Sequence, residues 1–103
     1  MLELTCQEDF DVLLKNEKRP IILDFYASWC GPCKKISPYF VDLSEMYKNI
    51  CFVKVNCDVA DDVSENFHVE NLPTFVLLKN GVEFTRFCGG RNDKLEEMVH
   101  KAM

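Results

Sequence analysis

No stretch of this 103-residue chain approaches the ~18 consecutive apolar residues of a membrane-spanning helix. Glycine and proline number only four each, which excludes collagen-like and low-complexity classes. Positive charge is scarce as well: 12 Lys and Arg stand against 17 Asp and Glu, a formal net charge of −5. Nucleic acid and anionic membrane both demand clustered Lys and Arg, so neither is the expected partner. The one basic pair, Lys34-Lys35, is read as local in its effect. Histidine is limited to His68 and His100, to which no role is assigned. There is no second C-x-x-C and no closely spaced His pair, so the donor set of a structural zinc site is missing and no metal is expected. Thiolate runs of the ferredoxin type are absent too. The segment Met1 to Asp11 is acidic and lacks the basic and apolar regions of a secretory leader, which makes a cytoplasmic protein the expectation.

What is present fits one globular domain, 1–103, with 48% hydrophobic and 28% charged residues. A chain this long buries roughly 60–70% of its unfolded surface, enough for a core without covalent staples. The six cysteines, at 6, 30, 33, 51, 57 and 88, are therefore read as one functional pair plus four extra thiols in a reducing compartment.

Periodicity supplies the elements. Leu2 to Thr5 reads as a short strand, and Thr5 with Glu8 as the capping box of a helix that buries Cys6, Phe10, Leu13 and Leu14. Ile21 to Ala27 is a near-continuous apolar run, as in a strand covered on both faces. Asp24 interrupts it, and a buried unpaired carboxylate is costly; its place six residues before the first thiol favours a chemical role over a hydrogen-bonded, purely structural one. A helix then extends to about Lys48, burying Ile36, Tyr39, Phe40, Leu43, Met46 and Tyr47, with a kink expected near residues 34–38 because of Pro38. Ile50 to Asn56 is a strand in which Lys54 is the second misplaced charge, making Asp24 and Lys54 a candidate pair. Asp58 to Phe67 reads as a short helix with Val59, Val63 and Phe67 inward. Leu72-Pro73-Thr74-Phe75 opens a strand through Lys79, Asn80-Gly81 turns it into Val82 to Cys88 as a hairpin, Gly89-Gly90 ends it, and Asn92 to Ala102 is an amphipathic helix. The order β-α-β-α-β-α-β-β-α requires an α/β fold with a mixed five-stranded sheet flanked by four helices.

The chemistry concentrates at Cys30-Gly31-Pro32-Cys33, at the carboxyl end of the predicted central strand, where open α/β sheets bind ligands. A structural bridge across two residues would gain little loop entropy, which leaves reversible dithiol–disulfide exchange. Cys30 falls at a helix N-terminus, where free N–H groups and the macrodipole stabilise a thiolate. Such a thiolate is the attacking species, while Cys33, one turn deeper, is expected to be shielded and to keep its proton until it attacks. Pro32 suits a first-turn position, and Gly31 leaves Cys30 open to a partner's sulfur.

The run Trp29-Cys30-Gly31-Pro32-Cys33-Lys34 resembles the active site of the thioredoxin family, and the likeness extends over nearly the whole chain through Asp24-Phe25, Pro38, Leu72-Pro73-Thr74 and Gly89. That resemblance implies a thioredoxin fold and a protein-disulfide reductase in which Cys30 attacks and Cys33 resolves, with a redox-active Cys30–Cys33 disulfide. It implies that Asp24 is the buried acid assisting Cys33 and that Lys54 is its opposing lysine. It makes Pro73 the cis-proline against the disulfide, with Leu72, Thr74, Trp29 and Gly89 around the docking surface. Members of the family bind no cofactor and draw electrons from NADPH through a flavin-containing thioredoxin reductase. Oxidised targets such as peroxiredoxins, ribonucleotide reductase and methionine sulfoxide reductase are the implied partners of a mainly monomeric protein. The Gly-Pro dipeptide is that of the reducing members. Thioredoxins sit near about −270 mV and protein disulfide isomerase near about −180 mV, reference values for those families rather than for this chain, and about 4 kcal/mol apart. A non-catalytic scaffold and an oxidase or isomerase are the alternatives. Tyr26, Leu72 and Gly90 depart from the residues commonest in the family: Leu72 bears on partner preference, and Gly90 suggests a looser turn. Cys88, beside that turn, is a candidate for regulatory oxidation.

Overall fold

The computed structural model describes residues 1–103 and contains β1 (Leu2–Leu4), α1 (Gln7–Asn16), β2 (Ile21–Tyr26), α2 (Gly31–Met46), β3 (Cys51–Asn56), α3 (Asp61–Asn66), β4 (Thr74–Lys79), β5 (Val82–Cys88) and α4 (Asn92–Ala102). The strands lie in the order β1-β3-β2-β4-β5. β1, β3 and β2 run parallel, while β4 is antiparallel to β2 and β5 to β4. This is the mixed sheet that the alternation of elements predicts, with β2 at its centre.

Side chains alternate across the sheet and divide the core in two. Leu23, Phe25, Val53 and Val55 face Phe10 of α1 and Val63 of α3. Ile22, Phe52, Phe75 and Leu77 face Ile36 and Phe40 of α2 and Leu95 and Val99 of α4. Phe40 meets Phe52 and Phe75 at ring-centroid distances of 5.3 and 5.8 Å. Each such fully buried side chain contributes about 1.5–3 kcal/mol through burial alone. Asp24 has the parity of Ile22, so its carboxyl emerges on the α2 side of the sheet.

Several local expectations are corrected. α1 begins later than Thr5, with Cys6 as its N-cap and no side-chain cap bond from that residue. The third helical residue is then Asp9, not Glu8, and its Oδ2 accepts from Thr5 N–H at 3.1 Å and Thr5 Oγ1 at 2.6 Å. α3 is shorter than predicted because Asn56 first closes a turn, its Oδ1 accepting Asp58 N–H and its carbonyl accepting the N–H groups of Val59 and Ala60. That turn exposes Val59 and buries Ala60 in its place. Met46, counted in the buried stripe of α2, lies at its last turn and is exposed. α2 continues through Pro38, which has no N–H to return to the carbonyl of Lys34. At the Asn80-Gly81 turn both residues take positive φ, 54° and 76°, as a two-residue hairpin demands.

Candidate active site

The site begins where β2 runs out. Ala27 accepts Cys30 N–H at 3.2 Å, closing a tight turn that delivers Cys30 to the N-cap of α2 with φ −85° and ψ 112°. Pro32 occupies the first turn, where no N–H is needed. Cys33 N–H donates to Cys30 Sγ at 3.3 Å, so sulfur fills the capping role usual for a Ser or Asp oxygen. A charge on that sulfur faces the free N–H groups of the helix start, which stabilise it. Cys30 and Cys33 are joined in a disulfide with their Cα atoms 5.3 Å apart. The expected contrast in shielding is corrected here: Cys30 is 5% exposed and Cys33 3%, both packed with Ala27 against Tyr26 and Leu72.

Asp24 lies beneath this turn and is 1% exposed. Its Cα is in register with Lys54 on β3, yet no ion pair forms, and Asp24 Oδ1 has no hydrogen-bond partner. The candidate pair is thus corrected to register neighbours that form no ion pair. The Lys54 ammonium instead donates to Ser37 Oγ on α2 at 2.9 Å and lies 4.6 Å from the centroid of the Tyr26 ring. Burial pushes the Asp24 carboxyl up to about 7, opposed by the charge of Lys54 and assisted by that of Glu3. A carboxyl poised there both accepts and releases a proton near neutrality. Cys33 and Lys54 share the lining of a cavity of about 280 Å³ with Tyr26, Ser37 and Pro38.

A second segment closes the top. The Leu72–Pro73 peptide bond is cis, Pro73 is buried, and its carbonyl accepts Gly89 N–H at 2.8 Å. Thr74 Oγ1 donates to the carbonyl of Asn71 at 2.5 Å and lies 3.4 Å from Cys88 Sγ. Gly89 takes φ +106°, a conformation that favours glycine. A Cβ on Gly90 would stand 3.1 Å from the carbonyl oxygen of Pro32, so the turn is tight against the active-site helix rather than loose.

Trp29, Cys30, Gly31, Pro32 and Leu72 line a groove of about 530 Å³ together with Cys57 and Val69. Trp29 is 70% exposed, and its indole N–H donates to Asp58 Oδ2 at 2.9 Å. Sequence reasoning missed Asp58, Ser37 and Glu3. No sequence signal marked them: Asp58 meets Trp29 only because the turns after β2 and β3 lie side by side, and the other two depend on register between strands and helix. Of the extra cysteines, Cys51 is buried, Cys6 and Cys57 are half-buried and Cys88 is exposed. Of the four, Cys51 is thus placed as a small core residue and Cys88 is open to solvent.

Comparison with known proteins agrees with this geometry. A family model described as Thioredoxin matches residues 1–101. The chain is 44% identical over 87 residues to "Thioredoxin H-type" of Fagopyrum esculentum, covering 84% of this chain and 72% of that protein. It is 42% identical over 94 residues to "Thioredoxin-1" of Caenorhabditis elegans, covering 90% and 82% of the two chains. The X-ray structure of Fasciola hepatica thioredoxin superposes over 100% of both chains with a TM-score of 0.95 at 34% identity.

Proposed function

This chain belongs to the thioredoxin family, and from that premise we propose a complete catalytic cycle for it and a role for each residue around the thiols. It is a thiol–disulfide oxidoreductase that reduces protein disulfides by exchange through Cys30 and Cys33. The observation that carries this is the disulfide at the N-terminus of α2, capped by the Cys33 N–H and packed against Leu72.

In the reduced protein, the Cys30 thiolate attacks a target disulfide and displaces one target sulfur as a thiolate. A mixed disulfide between Cys30 and the target remains. Asp24 accepts the proton of Cys33, whose thiolate then attacks Cys30 Sγ. The Cys30–Cys33 bond forms, the bond from Cys30 to the target breaks, and the second target sulfur leaves with the electron pair. The target gains two electrons and the Cys30–Cys33 pair loses two. The groove beside Trp29 and Leu72 receives the extended target chain, with Pro73, Thr74 and Gly89 shaping its edge. Support comes from Trp29 and Leu72 lining one groove with Cys30, from Leu72 packing against both cysteines, and from the exposure of Trp29. Gly31 and Pro32 set the turn, and Lys54 moderates the charge at Asp24.

The family implies a reductase and disulfide-containing targets in general. Within that frame, the reading is of electrons from NADPH through a flavin-containing thioredoxin reductase, with peroxiredoxins, ribonucleotide reductase and methionine sulfoxide reductase as targets. No helix is long and apolar enough to cross a membrane. A cytoplasmic, mainly monomeric protein is the reading adopted, supported by four free cysteines beside a single disulfide. Cys88, exposed next to Gly89, is assigned to regulatory oxidation.

The test is insulin reduction with purified variants. Cys30→Ser is expected to lose activity to background and to capture no target. Cys33→Ser is expected to lose turnover while accumulating a mixed disulfide through Cys30. Capture by Cys30→Ser in place of Cys33→Ser would reverse the assignment. A Cys30–Cys33 potential well above about −230 mV would move the protein to the oxidase or isomerase class.

A further inference from the structure

A row of charge crosses the sheet beneath the thiols. Glu3 on β1 is in register with Lys54 on β3, and Lys54 with Asp24 on β2, so the three occupy one transverse line on the α2 side. Lys54 therefore stands between two carboxylates, one at the exposed edge and one buried. It forms an ion pair with neither within 4.0 Å. What holds its ammonium is the Ser37 hydroxyl at 2.9 Å and the face of Tyr26 at 4.6 Å. Tyr26 is itself anchored, because its hydroxyl donates to Glu3 Oε2 at 2.5 Å. Three residues thus fix the position of one cation, and the result is visible in Asp24 Oδ1, buried with no partner.

We propose that Glu3, Tyr26 and Ser37 are positioning residues that hold the Lys54 ammonium off the Asp24 carboxyl, so that the acid serving Cys33 is kept out of an ion pair. The inference rests on the reading of Asp24 as the base for Cys33. An ion-paired carboxylate would be a weaker base, since a cation within about 4–6 Å favours its charged form. The titratable groups around Asp24 are Glu3 from β1, Lys54 from β3, Tyr26 from β2, Cys57 beyond β3, and Cys33 and Lys34 from α2. From β4 the register neighbour is Phe75, which carries no charge. Of these, only Lys54 is a cation with its Cα in register with Asp24, and only Ser37 among the α2 residues hydrogen-bonds it.

The experiment uses the oxidised protein, in which Cys30 and Cys33 do not titrate, and follows the infrared carbonyl band of the protonated Asp24 carboxyl against pH. Ser37→Ala is expected to lower the midpoint by about one pH unit, by releasing Lys54 toward Asp24. Ser37→Thr keeps a hydroxyl and is expected to leave the midpoint in place. Glu3→Gln is expected to lower it and Lys54→Met to raise it. In the Lys54→Met background, Ser37→Ala is expected to shift nothing, because its effect runs through that lysine. A midpoint unmoved by Ser37→Ala, or moved equally with and without Lys54, overturns the proposal. A parallel measurement follows resolution of the Cys30 mixed disulfide against pH, where Asp24→Asn is expected to remove the inflection. If Asp24→Asn leaves that profile intact, the base assignment fails. If it removes the inflection while Ser37→Ala moves neither midpoint, only the positioning role fails.

Discussion

Asp24 carries a cost that depends on pH. Its carboxyl titrates at about 7 in the folded chain, against an ordinary value of 3.8 for an exposed one. Between those values the folded protein holds a proton that the unfolded chain has released. Stability is therefore full below about pH 4 and falls as pH rises through about 7. Three pH units at about 1.4 kcal/mol each make the loss on the order of 4 kcal/mol. Asp24→Asn is accordingly expected to exceed the native chain in stability by about 2–4 kcal/mol above pH 7, and to converge with it below about pH 4. Urea unfolding from about pH 4 to about pH 9 measures this, and a gap independent of pH would exclude the cause given. The unusual carboxylate was legible in the sequence, because a charge in an apolar strand breaks the pattern. Its failure to pair with Lys54 was not, since that depends on where Ser37 and Tyr26 stand.

Elements impose a second kind of constraint. Two turns meet over the active site: the start of α2 and the end of β5, where Gly90 lies against Pro32. Gly89 beside it holds φ +106°, so Gly89→Ala is expected to cost about 1–3 kcal/mol from backbone strain. Gly90→Ala has no adverse φ to overcome, but it places a methyl 3.1 Å from the Pro32 carbonyl and must push the active-site turn. The expected signature is a small stability change with a measurable change in insulin reduction, read by denaturation and turnover on the same samples. A large stability loss with unchanged specific activity would reverse that division. Strands and their hairpin were legible from alternation and the Asn80-Gly81 signal. Helix starts were less so: Asp9 displaced Glu8 at α1, and the Asn56 turn shortened α3, because side chains competed for backbone N–H groups that periodicity does not see.

At the scale of the whole molecule, one disulfide and four free thiols coexist. The denatured oxidised protein is expected to show four reactive thiols and the reduced protein six. In the native oxidised state, the exposed Cys88 is expected to be alkylated first and Cys51 last, by at least about tenfold. Burial and the charge of Glu17 push the Cys51 thiol up to about 11, and burial also raises Cys57. Mass spectrometry of partly alkylated protein gives the order, and early loss of Cys51 would show the β3 side of the core to be open. By itself, the sequence determined the order of strands and helices, the mixed sheet and the identity of the reacting pair, because these follow from local periodicity and from two thiols at a helix start. Only the tertiary structure decided the rest. It brought Leu72 and Gly90 from distant segments onto the active-site turn, buried Cys30 nearly as deeply as Cys33, and placed Glu3, Lys54 and Asp24 in one row. Those outcomes depend on strand register and on helices laid across the sheet, and neither is written in any single stretch of chain.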